Sequence, residues 1–303
     1  MKWPWCIVYL ALLWPHDASS ACTVEQRAVV NLEIVASAIL VTVLVNDVEG
    51  IFILDTGAAQ TVVTPDAVVR LALTLDEWTA TTMRGVGGIE RRRNAIPRSL
   101  SLGGIALRHH SVARDSTLRV ASLPRTMLAG RRIDGLLGRD FLSAFDLDLA
   151  FSQRTMAMFE VLDCSGRFLP WTGAYSAIPV LNPSESALVV PVELDGVPLR
   201  ALLDSGASRT LVAAPGMARL GLGLERLAGD RSEVVSGMGP HTVTVWQHRF
   251  QTLRVGDYNF NAPSMMVTPI QLNPICDMLL GADWLLAHRI WISYATHQLF
   301  AAR

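Results

Sequence analysis

Twice in this chain an apolar, β-prone run ends abruptly in an aspartate, a hydroxyl residue, a glycine and an alanine. The first copy is Ile51-Phe52-Ile53-Leu54-Asp55-Thr56-Gly57-Ala58. The second, Arg200-Ala201-Leu202-Leu203-Asp204-Ser205-Gly206-Ala207, follows 149 residues later. A buried strand that delivers a carboxylate into a glycine turn is costly to build, because an ionised side chain leaves water. The rest of the chain is best read as scaffolding for Asp55 and Asp204.

The surroundings of the two copies also match. Val41 to Val45 and Gly50 to Leu54 flank the polar Asn46-Asp47-Val48-Glu49, and Leu188 to Leu194 and Val197 to Leu203 flank Asp195-Gly196. Each pattern predicts a hairpin whose second strand leads into the aspartate. A short β-prone run follows each aspartate (Thr61-Val62-Val63, Thr210-Leu211-Val212), then a short helix with Pro65 or Pro215 near its start. Next come closely spaced glycines between strand-like runs, Gly85-Val86-Gly87-Gly88 and Ser236-Gly237-Met238-Gly239-Pro240. No helix pattern opens after either, which argues against a phosphate loop and for hairpin tips able to approach a ligand.

Each half closes alike, with Asp134-Gly135-Leu136-Leu137-Gly138-Arg139-Asp140-Phe141-Leu142 matching Asp277-Met278-Leu279-Leu280-Gly281-Ala282-Asp283-Trp284-Leu285. A period this long indicates two homologous domains rather than a solenoid. The boundaries expected are a first domain over 22–163, a linker over 164–186 broken by Pro170, Gly173, Pro179 and Pro183, and a second domain over 187–303.

At 303 residues the chain has room for two cores. Half its residues are hydrophobic and its formal net charge is −1, a balance that argues against disorder and against nucleic-acid binding. Met1-Lys2, the apolar run Trp3 to Trp14 and the small residues Ala18-Ser19-Ser20-Ala21 read as a cleaved signal peptide over 1–21, so export to a bacterial periplasm or secretion is expected. A lipid anchor on Cys22 is the alternative at that end. The run Ile34 to Val45 is too short for a membrane span and reads as strand. Past the leader, Cys22, Cys164 and Cys276 allow one disulfide, with the pair left open, and show no zinc spacing. There is no lysine after Lys2, which excludes a Ser-Lys dyad and a Schiff base. His109-His110 lacks partners at metal spacing and reads as structural, and Arg91-Arg92-Arg93 reads as a solvated strand face.

Two strand-ending aspartates suit one chemistry well. Brought face to face they cannot both ionise cheaply, so one keeps a proton while the other activates water for attack on a carbonyl. Neither metal nor covalent intermediate is needed.

The duplicated Asp-Thr/Ser-Gly-Ala, each followed by a Leu-Leu-Gly-x-Asp segment about eighty residues later, resembles the retropepsin-like aspartic proteases, the bacterial secreted members above all. The resemblance runs from Ile39 to the C-terminus, linker excepted. It implies a mostly β fold of two retropepsin-like β-barrel domains, packed as an intramolecular pseudodimer, with no cofactor. It also implies that Asp55 and Asp204 are catalytic, and that Thr56-Gly57 and Ser205-Gly206 support the catalytic loops, the hydroxyls locking one loop to the other. Gly85, Val86, Gly87 and Gly88 would form one flap, and Gly237, Met238 and Gly239 the other, over a peptide or unfolded protein substrate. Leu136-Leu137-Gly138 and Leu279-Leu280-Gly281 would pack beneath the catalytic loops. Arg139 would brace the first half, a role Ala282 cannot fill in the second. Ala58 and Ala207 offer no hydroxyl to the carboxylates, which points to a pair titrating high and to activity nearer neutral than strongly acidic pH. Two alternatives stand beside this reading, a peptide-binding or assembly module of the same fold, and a homodimer with Asp55/Asp55 and Asp204/Asp204 sites.

Overall fold

The computed structural model describes residues 21–107, 117–124, 126–181, 187–239, 241–272 and 275–302. The signal-peptide expectation, except for Ala21, and the His109-His110 pair lie outside the described residues. Among the described residues, no helix is long and apolar enough to cross a membrane.

Each half is built outward from its predicted hairpin. Strand Ala38–Val45 turns into Val48–Leu54 through Asn46 and Asp47, both left-handed at φ 53° and 64°. Strand Val189–Leu194 turns into Val197–Leu203 through Asp195 and Gly196, at φ 50° and 77°. Left-handed two-residue turns follow the natural twist of paired strands, and Asn, Asp and Gly adopt them at least cost. Alternation does the rest: Val41, Val43 and Val45 are buried while Thr42 and Leu44 between them are exposed.

In each half the second hairpin strand gains a parallel neighbour from far along the chain. Gly135–Leu137 runs parallel to Phe52–Leu54 and antiparallel to Val62–Val63. Met278–Leu280 runs parallel to Ala201–Leu203 and antiparallel to Leu211–Val212. Strands so enclosed are apolar throughout, as parallel pairing demands. Leu54, Leu137, Leu203 and Leu280 are all 0% exposed, each contributing about 1.5–3 kcal/mol by burial. These four side chains fix the height at which the two aspartates emerge.

The halves are joined by one antiparallel base sheet, ordered Thr23–Val35, Thr155–Leu162, Asp146–Ala150, Arg289–Ser293, Gln298–Ala302, Ser176–Pro179. Its middle pair crosses from one half to the other, with Leu147 opposite Ile292 and Leu149 opposite Ile290. An approximate two-fold axis therefore passes between these two strands. It relates Thr23–Val35 to Ser176–Pro179, the outer strand at the opposite edge.

That relation corrects the expected linker. The stretch 164–186 contains a regular element despite its prolines, because Pro179 ends the strand instead of interrupting it. That strand pairs with Gln298–Ala302 of the second half, and Leu181 goes on to bridge Val189. The preceding segment is packed rather than loose. Phe168, Trp171 and Tyr175 lie against Trp291 and Phe300 of the base sheet. The Trp171 indole donates to Asp148 at 3.1 Å, and the Arg289 guanidinium lies over the Trp171 ring.

The cysteine question is resolved by position. Cys22 and Cys164 flank the paired strands Thr23–Val35 and Thr155–Leu162 and form a disulfide, leaving Cys276 reduced and buried.

Candidate active site

Asp55 and Asp204 emerge side by side at the junction of the halves. Each carboxylate is first held by its own loop. Asp55 Oδ1 accepts the Gly57 and Ala58 amides at 3.0 and 2.8 Å, and Asp204 Oδ1 accepts those of Gly206 and Ala207, both at 3.0 Å. Each glycine then lies against the opposite carboxylate. A Cβ on Gly57 would stand 2.5 Å from Asp204 Cγ, and one on Gly206 would stand 2.5 Å from Asp55 Cγ. Only a residue without a side chain allows this approach. The two carboxyls also hydrogen-bond one another.

The hydroxyls of Thr56 and Ser205 tie the loops together reciprocally. Thr56 Oγ1 donates to the Leu203 carbonyl at 2.8 Å and accepts the Ser205 amide at 3.0 Å. Ser205 Oγ donates to the Leu54 carbonyl at 2.6 Å and accepts the Thr56 amide at 3.0 Å. All of these groups are buried, so each bond also satisfies a backbone group that water cannot reach.

Beneath the loops, the Leu137 carbonyl accepts the Asp55 amide and the Leu280 carbonyl accepts the Asp204 amide, both at 3.0 Å. A second support escaped the sequence reading. Asp140 accepts the Thr61 hydroxyl at 2.7 Å and the Thr61 amide, while Thr61 Oγ1 accepts the Gly138 amide at 2.9 Å. Asp283, Thr210 and Gly281 repeat these contacts at 2.7 and 3.1 Å. The clue was in the sequence, since Thr61 and Thr210 each stand six residues after an aspartate of the pair.

The predicted flaps are hairpins, Thr74–Gly85 with Gly88–Ile96, and Arg231–Ser236 with Thr242–Arg249. Their tips touch. The Gly87 amide donates to the Met238 carbonyl at 2.9 Å, and the His241 amide donates to the Gly87 carbonyl at 2.7 Å. A side chain on Gly87 would collide with the carbonyl oxygens of Gly237, Gly239 and His241, all within 2.9 Å of its Cβ position. Val86 packs into the apolar cluster of the opposite half, beside Val243 and Val245. Gly85, Gly88, Gly237 and Gly239 complete this junction. Trp246 is half-buried against the core, and Arg91-Arg92-Arg93 is exposed.

Burial raises the pKa of both carboxyls. For Asp55 it acts first and the charge of Asp204 second, raising it to about 8 against the opposing bonds from the Ala58 and Gly57 amides. For Asp204 the same burial is offset by the Ala207 and Gly206 amides, by the bond to Asp55 and by the charge of Arg139. A close carboxyl pair of this kind shares one proton over a broad pH range.

Comparison with known proteins bears on the family and the fold. The family model described as aspartyl protease matches residues 41–141 and again 190–284. The crystal structure of aspartic proteinase from Irpex lacteus superposes with a TM-score of 0.53 at 13% identity, over 93% of this chain and 97% of that one. At that identity the likeness concerns fold alone. No curated protein matches the chain significantly in sequence.

Proposed function

Because the chain belongs to the aspartyl protease family, with the family's unit present in two tandem copies, we propose that it is an endopeptidase whose single active site is the Asp55–Asp204 pair. The observation that carries this reading is the mutual approach of Gly57 to Asp204 and Gly206 to Asp55, which leaves the two carboxyls sharing a hydrogen bond. One carboxylate takes a proton from water as the water oxygen attacks the scissile carbonyl. The protonated partner donates to the carbonyl oxygen, which becomes a hydroxyl of the tetrahedral intermediate. On collapse a carboxyl proton passes to the leaving amine, the other carboxylate takes back the proton of one hydroxyl of the intermediate as its carbonyl re-forms, and the carbon–nitrogen bond breaks. The pair ends with the one shared proton it began with.

The substrate class is an extended peptide or an unfolded protein segment. The flap tips carry backbone amides and carbonyls suited to strand-like pairing with such a segment, once the bonds between Gly87, Met238 and His241 open. Export to an oxidising compartment fits the Cys22–Cys164 disulfide and the leader-like N-terminus. Two further points argue for catalysis over a pure binding role. A binding groove has no use for two buried carboxyls, and their desolvation is an expense that only chemistry repays.

Incubation of an unfolded protein with the purified chain, followed by mass spectrometry of the new termini, tests the proposal. Internal cleavage that disappears in Asp55→Asn supports it. Absence of peptide-bond hydrolysis from about pH 3 to 8, the range in which such a pair can hold one proton, overturns it.

A further inference from the structure

Each half lays a strand from far along the chain beside the short strand that follows its aspartate. Arg119–Val120 runs parallel to Val62–Val63 with Arg119 opposite Val62, and Ser264–Val267 runs parallel to Leu211–Val212 with Met266 opposite Leu211. Arg119 therefore stands where the second half has Met266. Leu118 and Val120 lie in the main apolar core, as do Met265 and Val267, so alternation turns Arg119 and Met266 to the other face. In the second half that face is an apolar wall. Met266 joins Leu211 and Leu279 in a cluster against which Ala207, three residues past Asp204, and Val86 of the first flap both pack. The matching face of the first half holds a cation instead.

Arg119 is only 9% exposed, and the partners of its guanidinium are neutral. Nε donates to Gln60 Oε1 at 2.9 Å and Nη1 to Thr117 Oγ1 at 2.6 Å, while no carboxylate pairs with it among the described residues. Its third nitrogen, Nη2, reaches solvent and has no protein partner among them. Arginine stays charged at every working pH, so a buried one without an anion carries a desolvation cost that an incoming anion would offset. The second half treats its arginine differently. Arg209, five residues past Asp204 as Gln60 is past Asp55, is half exposed and already faces Glu233 at 3.6 Å. Carboxylates on the elements around Arg119 are committed elsewhere, Asp140 to Thr61 and Glu90 to Ser122 and Arg92. Resting on the protease reading above, we infer that Arg119, held by Gln60, is a specificity-determining residue that binds a carboxylate side chain of the substrate. The preferred peptide carries Asp or Glu on the first-half side of the scissile bond and an apolar residue on the second-half side, and the free edge of the guanidinium supplies charge-assisted hydrogen bonds to the acid.

Cleavage of a peptide library made by trypsin digestion of denatured proteins, with mass spectrometry of the new termini, tests the inference. Asp and Glu should be enriched at one position on one side of the cleaved bond, with kcat/KM for a Glu peptide about tenfold or more above that of its Gln counterpart. In Arg119→Met, which copies the second half, the enrichment disappears and apolar residues take that position, whereas Arg119→Lys retains part of it. Gln60→Glu supplies the anion from within the chain. It should abolish the preference while raising the melting temperature, which separates a lost subsite from a lost fold. Cleavage with no acidic preference, or with one unchanged in Arg119→Met and Gln60→Glu, overturns the inference. An arm that needs no turnover exposes the same library to immobilised Asp55→Asn chain. Acidic peptides should be retained there and released when Arg119→Met is added, and retention without that difference also overturns the inference. A wild-type chain that cleaves nothing, yet retains acidic peptides through Arg119, would count against the protease reading alone.

Discussion

Gly57 of the first half lies so close to Asp204 of the second that a single added methyl would sit 2.5 Å from the carboxyl carbon. The same holds for Gly206 and Asp55. The separation of the two carboxyls is therefore set by glycine backbone, and no flexible side chain is available to absorb a change. Gly57→Ala should leave the chain folded, because each half retains its own core, yet push the carboxyls apart. A displacement near 1 Å lowers kcat/KM on the order of a hundredfold. Near-normal kcat/KM in a folded Gly57→Ala variant would show that the pair does not depend on this contact.

Thr56 carries a different burden. Its hydroxyl serves the Ser205 amide and the Leu203 carbonyl, both of the opposite half and both inaccessible to water. Thr56→Val preserves shape but orphans two buried groups, at a cost of about 2–4 kcal/mol. Denaturant unfolding should register that loss, while Thr56→Ser should recover most of it.

The floor contacts predict equal sensitivity in the two halves. Asp140→Ala strips the Thr61 amide and hydroxyl of their acceptor, and Asp283→Ala does the same to Thr210. Each should cost about 2–4 kcal/mol, since a charged acceptor is lost from partly buried donors. Loss of stability in one variant and none in the other would contradict the repeated geometry.

The pair also makes stability depend on pH. Asp55 is raised from 3.8 to about 8, first by burial and then by the charge of Asp204. Across that window the folded chain keeps a proton that the unfolded chain releases, so stability falls as pH climbs from about 4 to about 8. Below the window both states are protonated and the penalty vanishes. Asp55→Asn removes the penalty, so its melting temperature should exceed that of the wild type at pH near 8 and match it near pH 4. Equal melting curves at both values would mean that Asp55 titrates as an ordinary carboxyl. For activity the same shift predicts a bell whose alkaline limb lies near neutrality or above it.

Much of this architecture could be read from particular residues. Asn46-Asp47 and Asp195-Gly196 marked both hairpins because left-handed turns have a narrow chemistry. The aspartates stood out because a carboxylate at the end of an apolar strand has few structural uses. Ser176–Pro179 was hidden because four residues carry no periodicity, and their partner, Gln298–Ala302, lies far along the chain. The disulfide pair was hidden for a related reason, since spacing alone does not tell which strands bring two cysteines together. Thr61 and Asp140 were legible in principle through their recurrence in the second half. Their hydrogen bonds, however, depend on how the chain returns beneath the loop. Arg139 was visible as a departure from the repeat. Arg119 was not, because only its parallel pairing with Val62 shows that it stands where Met266 does.

The central claim is that Asp55 and Asp204 make one site within one chain. The most direct measurement is kcat/KM for an unfolded protein or peptide substrate in Asp55→Asn, Asp204→Asn and the double variant. The single-site account predicts that either substitution alone abolishes hydrolysis as fully as both together. Separate Asp55/Asp55 and Asp204/Asp204 sites in a homodimer would instead leave each single variant with one working site. Substantial activity in either single variant, lost only in the double, would contradict the account.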